Sequence, residues 1–124
     1  MSDRPFLFES SRSFVIFTYS AGHGLLLLRS RKSNLYSKRL DVLIQDVRAM
    51  EIRTWFDGLK IEEANRKYLE GRPSKPVEMI EPGNRIYALT GTGWEGFIVG
   101  GIVSVREDDG EYMDPSALTG SMSF

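Results

Sequence analysis

Residues 13–32 read SFVIFTYSAGHGLLLLRSRK. Two runs rich in β-branched, aromatic and aliphatic side chains flank a Gly22-His23-Gly24 centre, which is the pattern of a β-hairpin. With the loop centred on Gly22 and His23, Tyr19 lies opposite Leu26, Phe17 opposite Leu28 and Val15 opposite Ser30. Thr18 meets Leu27 and Ile16 meets Arg29 on the other face. Both faces are therefore apolar near the turn. A hairpin with one wet face would alternate more cleanly, so this one is expected to be covered on both sides or rolled into a barrel wall.

The rest of the chain extends the β reading. Phe6 to Glu9 forms a candidate edge strand, and Arg39 to Ile44 and Arg48 to Phe56 read as two more. Asp57-Gly58 follows, and Asp-Gly between alternating runs favours a two-residue type I′ turn, because both central positions need positive φ. That turn would place Phe56 opposite Leu59, Trp55 opposite Lys60, Thr54 opposite Ile61 and Arg53 opposite Glu62. Around Glu63 to Glu70 the spacing becomes helical, with Glu62 four residues before Arg66, Glu63 four before Lys67, and Gly71 at the stop position. The segment 71–85 carries three of the five prolines and reads as a crossover loop. Arg85 to Thr90 and Phe97 to Arg106 close the series, with a bend or bulge expected at Gly100-Gly101.

The expected fold class is mostly β with one short helix. The architecture is a single curved antiparallel sheet of about seven or eight strands, barrel-like or folded as a sandwich, in one domain over residues 1–124. Leu43, Val47, Met50 and Thr54 also recur at helical spacing. The alternative is accordingly α+β, with residues 42–56 helical.

Composition narrows the function classes. An apolar fraction of 41% with 27% charged residues is that of a globular domain. Cysteine is absent, which excludes disulfides, thiolate zinc sites and a cysteine nucleophile, and suits a reducing cytoplasm. The first twelve residues, MSDRPFLFESSR, lack the basic start and apolar core of a signal peptide. No apolar run approaches the roughly 20 residues that cross a bilayer, so no membrane partner is expected.

Net charge is −1, yet the charge is segregated. Arg29, Arg31, Lys32, Lys38 and Arg39 crowd one acid-free stretch, while residues 106–114 read REDDGEYMD. A basic stretch of this kind can meet phosphate backbones, although a pI near 5.9 argues against a dedicated nucleic-acid binder. Nucleic-acid contact requires those five cations to share one exposed face. Pairing with Asp108, Asp109 and Glu111 would remove it.

Gly91-Thr-Gly93-Trp-Glu-Gly96 matches the dinucleotide-binding spacing G-x-G-x-x-G. The run after it, FIVGGIVSV, is β-rich and makes a poor helix, so a glycine-rich turn between antiparallel strands is the better account. Trp94 and Glu95 are candidate contacts near its tip. His23, the single histidine, suits a turn, and no second His or Cys completes a metal site. Asp108, Asp109, Glu111 and Asp114 lack the alternation of a calcium loop.

The expected binding residues are Trp94, Glu95, Trp55, His23, Arg29, Arg31 and Lys32, with no catalytic residue, metal or cofactor. The leading expectation is a non-catalytic interaction module, such as an immunity or accessory protein, that takes a protein partner through loop tips and a sheet edge. The alternatives are a small-molecule-binding barrel and nucleic-acid contact through residues 29–39, with a homodimer through a sheet edge as a further arrangement. An enzyme would need carboxylates such as Glu95, Asp57 or Asp109, with His23, to converge in one cleft.

Overall fold

The structure, a computed structural model, describes residues 6–119. Eight strands form one antiparallel sheet: β1 (Phe6–Ser20), β2 (Leu25–Ser30), β3 (Arg39–Ile44), β4 (Ala49–Glu51), β5 (Trp55–Ala64), β6 (Arg85–Gly91), β7 (Trp94–Gly100) and β8 (Val103–Asp108). Their order across the sheet is β4-β7-β6-β5-β1-β2-β3-β8. The sheet is mostly β as expected and is not closed, because β4 and β8 end it without pairing to each other. It is neither a closed barrel nor a two-sheet sandwich. Residues 42–56 hold no helix: β3 and β4 lie there, joined through Gln45, whose N–H donates to the Ile102 carbonyl, and Asp46, which sits at φ 54°.

β1 is a single strand of 15 residues that joins the two segments expected to be separate. Its pairing with β2 follows the expected register through Tyr19↔Leu26 and Thr18↔Leu27. A bulge at Phe17 then slips the ladder by one, so Ile16 faces Leu28 and Val15 faces Arg29. The expected Phe17–Leu28 and Val15–Ser30 pairs are thus corrected. The extra residue sends Phe17 to the outer face, where it packs with Leu25, Leu27 and Leu43.

Asp57-Gly58 is not a hairpin turn. β5 runs straight through it, pairing with β1 on one side and β6 on the other. Gly58 does adopt the positive φ that the dipeptide favours, at 73°. It uses that conformation for a bulge, in which Ser11 and Arg12 of β1 oppose the lone Gly58 between the Ser10↔Leu59 and Ser13↔Asp57 pairs. The local preference was real, and non-local pairing decided its use. The bulge accompanies an inward Arg12, which is buried and donates to the Ser30 hydroxyl at 3.0 Å and the Lys38 carbonyl at 2.6 Å.

The helix expected over residues 63–70 is also corrected. β5 extends to Ala64, which pairs with Ile86, and Glu62 is buried within the strand instead of reaching Arg66 along a helix. What remains is a four-residue 3₁₀ turn, Arg66–Leu69, with a second at Pro76–Met79. The expected long final strand divides at Gly101-Ile102. β7 pairs with β6 near one end of the sheet, while β8 pairs with β3 at the other. The Gly91–Gly96 segment is the β6–β7 hairpin, with Gly93 at φ 77° and Gly91 opposite Trp94.

The curled sheet wraps a core drawn from β1 to β7, including Phe14, Leu26, Leu28, Val42, Ile44, Phe56, Leu59, Ile61, Leu89 and Ile98. Phe14 stacks on Phe56 with centroids 6.0 Å apart. The outer face is covered in two places. Leu69, Val77 and Ile80 from the 65–84 crossover lie over Ile86, Phe97 and Val99. Leu118 from the C-terminal segment lies over Leu25, Leu27 and Leu43, so the first hairpin is covered on both sides, as its composition required.

Candidate functional site

The most densely built polar region lies where the basic and acidic segments meet. Register places Arg29 opposite Asp41 and Arg39 opposite Asp108 in neighbouring ladders. Arg29 and Asp41, 1% exposed each, form a two-pronged ion pair at 2.8 and 3.1 Å. Arg39 holds Asp108 through two contacts of 3.0 Å. Both arginines then donate to carbonyls of the following tail, Arg29 to Asp114 at 2.8 Å and also to Tyr112, Arg39 to Glu111 at 2.7 Å and Pro115 at 3.2 Å. A guanidinium presents five donors in a fixed fork, so each can satisfy a carboxylate and backbone oxygens at once.

Further out, Lys32 pairs with Glu111 at 2.8 Å and Lys38 with Asp109 at 3.2 Å. Four of the five cations of residues 29–39 are therefore matched internally. The condition for nucleic-acid contact through that segment is not met, because Arg29 and Arg39 are buried and no common exposed face exists. Burial by itself pushes the Asp108 carboxyl up. The Arg39 hydrogen bonds, the Gly110 N–H and the charges of Arg39 and Arg106 outweigh burial and hold its pKa below the ordinary carboxylate value.

The clamped tail forms one wall of a groove. Val15 stands opposite both Trp55 and Arg29, so these three share the outer face of β5, β1 and β2. Tyr112 closes the far side, edge-on to Phe17 at 5.4 Å, and Phe17 in turn lies under the Arg29 guanidinium at 3.9 Å. The resulting depression, about 360 Å³, is lined by Ser13, Val15, Arg29, Arg31, Trp55 and Tyr112. Trp55 is 61% exposed, and the Ser13 hydroxyl donates to Asp57 at its margin. Lys32, Ser33 and Asn34 line an adjoining depression that shares Arg31 and Tyr112. Arg31 is the remaining cation of the segment, exposed and with no side-chain partner among the described residues.

The expected binding residues thus divide. Trp55, Arg29, Arg31 and Lys32 come together here. Trp94 does not project from the loop tip: it is half-buried, 4.8 Å from Phe56 by ring centroids, and packs against the core. Its indole lies over Gly91, where an added Cβ would come within 2.1 Å of Nε1. Thr92 and Gly93 hold the tip, and Glu95 is exposed on β7 opposite Thr90. His23 is exposed in the β1–β2 turn, and Gly24, at φ 60°, takes the left-handed conformation there. Tyr112 and the Ser13–Asp57 pair were not anticipated, since nothing in a weakly patterned tail marks one tyrosine as a wall.

A second surface was foreseen only in kind. β8 has a neighbour on one side, β3, and no strand among the described residues on the other. The Gln45 N–H to Ile102 carbonyl bond sets the phase of the ladder, and by alternation Val103, Val105 and Glu107 turn their backbone groups outward. Beside that edge Ile102, Leu7 and Val105 are 64%, 44% and 41% exposed. Phe8, Leu7, Tyr87, Ile102, Val103 and Val105 line the depression between this edge and the start of β1.

Phe14, Phe56, Leu26, Leu28 and Ile61 pack the interior at 0–1% exposure. Among the described residues no group of three or more His, Asp or Glu side chains could hold a metal ion, and no helix is long and apolar enough to cross a membrane. The chain matches no protein-family model, no curated protein and no solved structure.

Proposed function

We propose that this chain is a non-catalytic interaction module that binds a protein partner by accepting one of its strands along the free edge of β8. One observation carries the reading: a strand edge with no strand beside it among the described residues, with outward N–H and C=O groups at Val103, Val105 and Glu107, lies beside the exposed side chains of Ile102, Leu7 and Val105. Strand addition draws affinity from main-chain hydrogen bonds and specificity from alternate side-chain pockets, and this edge supplies both. Natural sheets blunt long apolar edges with charge, proline or a covering segment. Here the charge is confined to Arg106, Glu107 and Asp108 at one end. A cysteine-free chain fits a cytoplasmic setting for that partner.

The test uses the full chain with a photo-crosslinking residue at position 102, beside the edge and 64% exposed in the native chain, and, as a control, at position 78 on the covering crossover. Capture of one partner from position 102 alone, abolished by adding Val105→Pro, is the expected result. Proline removes only an outward N–H, leaving the β3 ladder bonds in place. Equal capture by the proline variant would refute strand addition. A dimer in light scattering that Val105→Pro dissolves would assign the edge to a second copy instead.

A further inference from the structure

We infer that the groove between Trp55 and Tyr112 is a second binding site, and that its ligand is an acidic peptide segment presenting one carboxylate beside an aromatic or aliphatic side chain. The charge balance of the groove sets the first half of that description. Arg29 is consumed by Asp41 and the tail carbonyls, and Lys32 by Glu111, which leaves the Arg31 guanidinium as the groove's single unmatched cation among the described residues. One free guanidinium fits one carboxylate, and its planar fork takes that group through two parallel hydrogen bonds.

Trp55 sets the second half. An indole 61% exposed on a strand, with Val15 beside it and Tyr112 across from it, presents an apolar platform next to the cation. Tryptophan, tyrosine and arginine are the residues most enriched at the energetic centres of protein interfaces. The platform is also rigid before anything binds. Tyr112 is fixed by its carbonyl contact to buried Arg29 and by the edge-on contact to Phe17, so little ordering entropy is left to lose on association.

Tryptophan beside arginine also suits a stacked nucleic-acid base. The surrounding charge decides against it. Asp57 is bonded to Ser13 of the groove and Glu111 lines the adjoining depression, so a phosphate backbone with a charge at every nucleotide would run against these carboxylates after satisfying a single arginine. A peptide with one acid placed over Arg31 meets neither. This site lies on the outer face, apart from the β8 edge, and stands whether or not that edge takes a strand.

The experiment is a ¹⁵N NMR titration of the intact protein with two short peptides of Phe, Gly and Ser that differ at one central position, Glu in the first and Gln in the second. A thymidine decanucleotide serves as a third probe. The acidic peptide is expected to shift the Trp55 indole N–H and leave that of Trp94 in place. It should bind at least about fivefold more tightly than the neutral peptide, and Arg31→Ala should erase that ratio. Both residues are exposed, so Arg31→Ala and Trp55→Ala fold normally. Equal affinity for the two peptides, or a ratio unchanged in Arg31→Ala, would overturn the inference. Tighter binding of the decanucleotide through Trp55 would overturn it in favour of nucleic acid. Loss of peptide binding in Val105→Pro with Arg31→Ala silent would move the site to the β8 edge.

Discussion

The outer face of one sheet is covered twice, and the two covers are held by different physics. The 65–84 crossover lies on β6 and β7 through Leu69, Val77 and Ile80, which meet Ile86, Phe97 and Val99 in an apolar contact without direction. The C-terminal segment lies on β2 and β3 with few apolar contacts, chiefly Leu118, and is held by carbonyls bound to two buried arginines. Apolar cover tolerates sliding and substitution, because its free energy scales with area. A charged clamp permits one geometry, and that geometry places Tyr112 as a wall of the groove. The cover that shapes the groove is the one fixed by directional bonds.

The comparison can be broken most forcefully at Asp41. Replacing it with alanine leaves Arg29 charged, buried beneath the tail and without its carboxylate, which is expected to cost about 3–5 kcal/mol in a urea unfolding measurement. The matching cut in the other cover, Leu69→Ala, removes a side chain 1% exposed and should cost about 2–3 kcal/mol, with the Tyr112 signals unmoved in NMR. If the two variants disturb Tyr112 equally, the covers are not independent.

Gly110→Ala sharpens the contrast. An added Cβ would stand 2.4 Å from the Arg39 guanidinium, which is already committed on both edges. A loss of about 1–2 kcal/mol with a displaced tail is expected, seen as faster amide exchange over residues 111–115. Acid should act on the same cover. The folded pKa of Asp108 is depressed, so its contribution is fully present above the unfolded carboxylate pKa and fades as pH falls through the folded one. Wild-type stability should therefore decline more steeply below about pH 4 than that of Asp108→Asn, in urea midpoints taken across the acid range. The smallest effect belongs to Trp55→Ala, within about 0.5 kcal/mol of wild type by the same method, since an exposed side chain supports little of the fold.

Much of the architecture is legible in the residues. The β3 boundaries, the two-sided cover of the first hairpin and the glycine turn at 91–96 follow from composition and spacing, and the segregated charge leaves pairing of the 29–39 cations with the 106–114 acids as one of two outcomes, the one the fold adopts for Lys32, Lys38 and Arg39. Trp55, Arg31 and Lys32 were readable as candidates through exposure and charge. Their meeting with Tyr112 was not, because 57 residues separate Trp55 from Tyr112 and no periodicity relates them. Asp57-Gly58 shows the limit most sharply. A two-residue window reports which φ values are accessible, and both a turn and a bulge use them.

The sequence by itself determined the alternation that makes this chain a sheet, the opposite charges that bind its tail, and the absence of thiol chemistry. Tertiary structure decided which strands are neighbours, so that β7 and β8, adjacent in sequence, lie near opposite ends of the sheet and β8 has no strand on its outer side among the described residues. The physical reason lies in range. Side-chain pattern and charge are properties of single segments, whereas partner choice and edge exposure depend on how all eight strands divide a common core.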